Sequence, residues 1–90
     1  NLEDTFFAGA LIEKILKNEA FYTICDSSVA AFDLWSIGRH NSLAYIEKAA
    51  QRHRLKMNNL DDVLEYCHTH DLTTIIPVLE NDYLVKFNSP

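Results

Sequence analysis

The sequence predicts a mainly α fold, a bundle of about five short helices. Three observations point that way. Only two glycines and two prolines occur in 90 residues, so few turns are forced and the backbone must satisfy its hydrogen bonds largely within helices. Apolar residues recur at i, i+3, i+4 and i+7 in several windows. Ser, Thr, Asn or Asp stands at the head of most of those windows, where N-caps belong.

The first helix is expected over residues 4–18, with Asp4 or Thr5 as its cap. Phe7, Leu11 and Ile15 follow helical spacing, and Phe6 and Ala10 widen the stripe. Gly9 inside this run costs about 1 kcal/mol relative to Ala, which predicts a close approach by another helix. Residues 19–37 are the most apolar stretch. Asp26-Ser27-Ser28 is their one polar break, and they read as two shorter helices, 19–25 and 28–37, the second ended by Gly38 at C′.

Asn41 or Ser42 caps a helix over 42–54, with Arg52 and Arg54 near its C-terminal end. Asn58 or Asn59 then caps a helix over 59–70, with Asp61 and Asp62 in its first turn. In it Leu60, Val63, Leu64 and Cys67 take the spacing of one buried stripe. The tail divides two ways. Thr73 or Thr74 followed by Pro77 suits a short helix over 74–80 and a second segment over 82–87. The β-branched and aromatic runs around Glu80-Asn81-Asp82 suit a β-hairpin over 74–87 instead, with Pro77 confined to an edge. Helix is favoured. The whole reads as a single small domain, 1–90: a helical half over 1–40, a helix-turn-helix unit over 41–72 and a tail over 73–90.

At 48% hydrophobic and 23% charged, the composition is that of a globular chain. The net charge of −5 opposes binding to a phosphate backbone. The basic cluster that could overcome it is Arg39, Lys48, Arg52, Arg54 and Lys56, flanked by Glu47, Asp61 and Asp62 and read as a solvated helix face. Cys25 and Cys67 read as small buried hydrophobes in a reducing compartment. No run reaches the length of a membrane span, and cytoplasm is the expected location. The chain opens on Asn1 without an initiator Met, as a fragment or processed chain would.

His68 and His70, two apart on a helix, point away from one another, and Cys67 with His70 has no second ligand pair at finger-like spacing. Paired acids are explained by helix capping and turn chemistry, and two glycines cannot build a phosphate loop. No catalytic residue, metal or cofactor is therefore expected, and the chain reads as a non-enzymatic protein-interaction module. Its contact residues are expected among Phe21, Tyr22, Phe32, Trp35, Tyr45 and Tyr66, because aromatic anchors are enriched at binding hot spots.

One resemblance sharpens that expectation. Ile46-Glu47-Lys48, then Met57, then Leu60-Asp61-Asp62-Val63-Leu64-Glu65-Tyr66-Cys67, closing on Asp71-Leu72, resembles the central part of the late-transcription coactivators of T4-type bacteriophages. It covers about half of the chain, residues 41–87. The family's acidic-hydrophobic clamp-binding tail has no counterpart in the closing YLVKFNSP. The resemblance implies a helical regulator that binds bacterial RNA polymerase, and not DNA, in the cytoplasm of a phage host. The alternative is a winged-helix-like nucleic-acid binder, with 42–54 and 59–70 as the helix-turn-helix and 74–87 as the wing.

Overall fold

In the computed structural model, which describes residues 1–88, helix α1 (Leu2–Leu16) starts earlier than the apolar pattern alone suggests. Its cap is Asn1, whose Oδ1 accepts from the backbone N–H groups of Glu3 and Asp4. Glu3 and Asp4 then fall in the first turn, where the helix dipole favours them.

The expected helix over 19–25 does not form; residues 21–25 carry no helical structure. Local hydrogen bonding outcompetes it. Asn18 turns the chain by accepting from Ala20 N at its side chain and from Phe21 N at its carbonyl, and Thr23 Oγ1 accepts from Cys25 N. Helix α2 (Asp26–Gly38) follows, and a 3-10 turn (Arg39–Asn41) carries it into α3 (Ser42–Ile46). Gly38 is therefore not a left-handed C′ residue (φ −96°). It is small for another reason: a Cβ there would lie 2.5 Å from the Tyr45 ring and 2.7 Å from that of Phe6.

The expected helix over 42–54 breaks at 47–49, where Ala49 is extended, and resumes as α4 (Ala50–Met57). Helix 59–70, the most regular pattern in the sequence, is reduced to a 3-10 turn (Asp61–Val63) and the single turn of α5 (Leu64–Cys67). The asparagines explain this. Asn59 is left-handed (φ 56°), Leu60 N donates to Leu55 O, and Asn59 N donates to Lys56 O. That is a Schellman cap ending α4, so the pair closes the helix before it instead of opening the one after. At the other end Thr69 Oγ1 donates to Glu65 O at 2.6 Å and His68 Nδ1 meets Leu64 O at 3.0 Å, which stops the helix at Cys67. Of the expected stripe only Leu64 is buried; Leu60, Val63 and Cys67 are exposed. Joined across their turns, the helical segments among the described residues make three helices and not five.

The tail is the hairpin rather than the helix. Strands β1 (Pro77–Glu80) and β2 (Tyr83–Lys86) pair antiparallel, with Val78 opposite Val85 and Leu79 opposite Leu84. Asn81 (φ 48°) and Asp82 (φ 68°) are both left-handed, the signature of a two-residue type I′ turn. Pro77 is the first strand residue, where it is tolerated. The fold is thus mainly helical with a small terminal hairpin. Among the described residues no helix is long and apolar enough to cross a membrane.

The core is small. Phe6, Ile46 and Ala49 are buried together, with Leu2, Trp35 and Tyr45 packed against them. Phe6 meets the Trp35 ring edge to face at 4.9 Å and stacks on Tyr45 at 5.1 Å. Helices α1 and α2 close on one another at Gly9, where a Cβ would strike the Ala31 carbonyl oxygen and lie 2.6 Å from Trp35 Cβ. Gly9→Ala should therefore reverse its ordinary helix-stabilising sign and lower stability by about 1–3 kcal/mol. Urea unfolding followed by far-UV circular dichroism measures it.

Candidate functional site

An open groove of about 850 Å³ lies between α1 and the segment running from α5 to the hairpin. Its apolar lining comes from Phe6, Phe7, Ala10 and Leu11 of α1, from Trp35 of α2, and from Leu64, Ile75 and Ile76. Its polar groups are Glu3, Asp4 and Lys14 on one side and His68, His70 and Asp71 on the other. The two sides are tied together. His70 stacks on Trp35 with ring centroids 5.8 Å apart, and Lys14 Nζ lies 3.9 Å from Asp71 Oδ2. The carbonyl of Leu64 can only accept, so His68 Nδ1 donates to it and Nε2 is left as the basic nitrogen. Two further polar atoms of lining residues, Glu3 Oε1 and Trp35 Nε1, are buried without a hydrogen-bond partner. Among the described residues no three His, Cys, Asp or Glu side chains converge to hold a metal ion.

The expected contact residues do not form one surface. Trp35 and Tyr45 belong to the aromatic core around Phe6. Phe21 and Tyr22 are exposed on the connection before α2, Phe32 is half-buried on α2, and Tyr66 is exposed on α5. The basic cluster is largely spoken for. Arg39 pairs with Glu13, Lys48 sits 3.9 Å above the Tyr45 ring, and Arg54 donates to Gln51. Arg52 is buried; its Nε donates to Glu47 at 3.1 Å, and its Nη1 lies 3.7 Å from Asp61, an ionic contact too long for a hydrogen bond. Lys56 reaches the other oxygen of Glu47.

A model of the 2-phosphosulpholactate phosphatase family matches residues 1–82. The chain belongs to that family. The match runs from the first helix of this phosphatase-family chain through its hairpin turn, so it includes both sides of the groove. No solved structure matches the chain. The family overturns the resemblance to phage late-transcription coactivators, and with it the non-enzymatic module, the transcription-regulator role and the nucleic-acid alternative. The resemblance over Ile46 to Leu72 requires two regular helices, and the chain forms neither as such. The groove's polar groups escaped the sequence because they come from opposite ends of the chain. In the sequence His68 and His70 stand two apart on an expected helix, facing away from one another, and Asp4 reads as a cap.

Two ionisable groups outside the groove are perturbed. Cys25 and Cys67 are both exposed free thiols, not buried hydrophobes. The Ser27 hydroxyl, 3.0 Å from Cys25 Sγ, and then the amide and hydroxyl of Ser28 lower the Cys25 thiol to about 7. Iodoacetamide at neutral pH should label Cys25 ahead of Cys67. Ser27→Ala should move the pH of half-maximal labelling back toward the ordinary thiol value, read by mass spectrometry of the labelled peptides.

The hydrogen bond from Arg52 holds the Glu47 carboxyl below its usual range, against a smaller opposing cost of desolvation. A carboxylate depressed on folding contributes stability above its unfolded value, ~4.3, and loses it as pH falls through the folded value. Glu47→Gln should therefore be less stable than the parent at neutral pH, and the gap should close below about pH 4. Thermal melts across that range provide the measurement.

Proposed function

We propose that this chain serves the hydrolysis of a phosphate monoester on a small, multiply anionic acid, and that the groove beside α1 is where the ester sits. The observation that carries the reading is the family match over residues 1–82. A substrate of the family's name presents oxyanions, which call for cationic and N–H donors in a site with little water. The groove offers Lys14 as a point charge for a phosphoryl oxygen. Lys14 now faces Asp71 in a long, solvent-exposed contact, so a phosphate competes with only a weak partner. Trp35 Nε1–H is a donor without an acceptor, and satisfying it recovers about 1–3 kcal/mol of desolvation cost.

His68 is the proton carrier in this reading. Its Nδ1–H is held by the Leu64 carbonyl, which orients the ring and fixes the tautomer. Its Nε2 accepts a proton from the attacking water. His70, stacked on Trp35, stands as the donor to the departing alkoxide.

The test is release of inorganic phosphate from 2-phosphosulpholactate. Steady release is expected from the parent chain, with a drop of about 100-fold in His68→Gln and a rise in KM in Lys14→Met. No release from the parent chain would overturn the reaction. Release that both substitutions leave unchanged would overturn the assignment to this groove.

A further inference from the structure

The wall of the groove opposite α1 is a lightly anchored strap. It leaves buried Leu64, and from Glu65 to Ile76 no residue is buried. Among the described residues its hydrogen bonds stay local. His68 and Thr69 bond back to Leu64 and Glu65, Ile75 N donates to Thr73, and Phe87 N donates to Ile76 O. Two side chains of the strap reach across to the helices: His70 lies on the Trp35 ring, and Asp71 faces Lys14. The ion pair is 3.9 Å long with both side chains mostly exposed, so it is worth little and is easily exchanged.

The same two contacts occupy the groups that a phosphate ester would use. Lys14 is held by a carboxylate, an oxyanion of the chain's own. The neighbouring Glu13 is taken by Arg39, which leaves Asp71 as the acid facing Lys14. Trp35 Nε1 is buried without a hydrogen-bond partner, so no ligand reaches its N–H until something moves. A buried donor with no acceptor is uncommon and costs stability. It belongs to a site that is shut.

We infer that residues 65–76 are an autoinhibitory latch, in which Asp71 holds Lys14 in place of a ligand's oxyanion. A phosphate arriving at Lys14 displaces Asp71, draws His70 off Trp35 and uncovers the indole N–H. His70 and Asp71 are consecutive, with Cα atoms about 3.8 Å apart, so release of one loosens the other. A His70 freed from the ring is also free to meet the departing oxygen. The inference rests on the groove reading proposed above and adds to it how the site opens.

Trp35 is the one tryptophan of the chain, so acrylamide quenching of its emission reads the strap without any activity assay. Asp71→Asn should raise quenching in the absence of ligand. Asparagine suits the left-handed backbone there (φ 60°), so the turn is kept. Inorganic phosphate should raise quenching in the parent and add little in Asp71→Asn, which should bind it about threefold tighter, the worth of an exposed ion pair. With Lys14→Met the strap is already released, so adding Asp71→Asn should change neither reading. Asp82→Asn removes an equal charge outside the groove, at another left-handed position, and should behave as the parent. Quenching that Asp71→Asn leaves unchanged, phosphate bound equally by the parent and Asp71→Asn, or an equal gain in Asp82→Asn would each overturn the latch alone. Phosphate bound by neither the parent nor Asp71→Asn would overturn the groove assignment with it.

Discussion

Everything in this fold depends on how closely α1 and α2 approach at Gly9. With no side chain there, the two backbones come together until Ala31 and Trp35 lie against α1. That distance puts Phe6 within reach of both Trp35 and Tyr45, and those three rings, with Ile46 and Ala49, are most of what the chain buries. Gly38 repeats the device at the far end of α2, where only a hydrogen fits between Tyr45 and Phe6. Two glycines in 90 residues thus both stand where helices and rings touch, and the turns are left to asparagine and aspartate.

The same contact builds the groove. Trp35 is held from behind by Phe6 and presents its other surface to His70, so the aromatic core ends at a wall of the cavity. The polar groups that matter are arranged by short-range hydrogen bonds: His68 on Leu64, Thr69 on Glu65, Asp71 left-handed (φ 60°) and turned toward Lys14. Arg52 plays the corresponding part elsewhere. Buried between Glu47 and Asp61, it pins the bend at 47–49 to the turn after α4. Four basic residues of this acidic chain, Lys14, Arg39, Arg52 and Lys56, face its own carboxylates.

The legible part of the sequence was the part governed by local geometry and burial together. Helix α1, helix α2 and the close approach at Gly9 follow from apolar spacing and one misplaced glycine. What failed was the assignment of short polar side chains to one helix end or the other. Asn58-Asn59 can open a helix or close one, and the spacing of Leu60, Val63, Leu64 and Cys67 made opening look right. The left-handed Asn59 decides it the other way, and that preference is worth no more than the two hydrogen bonds of the cap. The tail shows the same ambiguity resolved by backbone sign: Asn81-Asp82 tolerates positive φ twice in succession, and Pro77 fits either structure. The groove was not legible at all, since spacing along a chain says nothing of Lys14 meeting Asp71.

The hairpin's type I′ turn and one-to-one register bear on how the chain assembles. Its partners are neighbours in sequence, so it can close in ~1–10 µs without reference to the helices. The ring cluster is different: Phe6 and Tyr45 are joined only by looping out α1, the 17–25 connection and α2. That loop closure must be met before any of the aromatic contacts repay it. Closure of that long loop therefore governs the ring cluster, whereas the hairpin needs only contacts that are local in sequence.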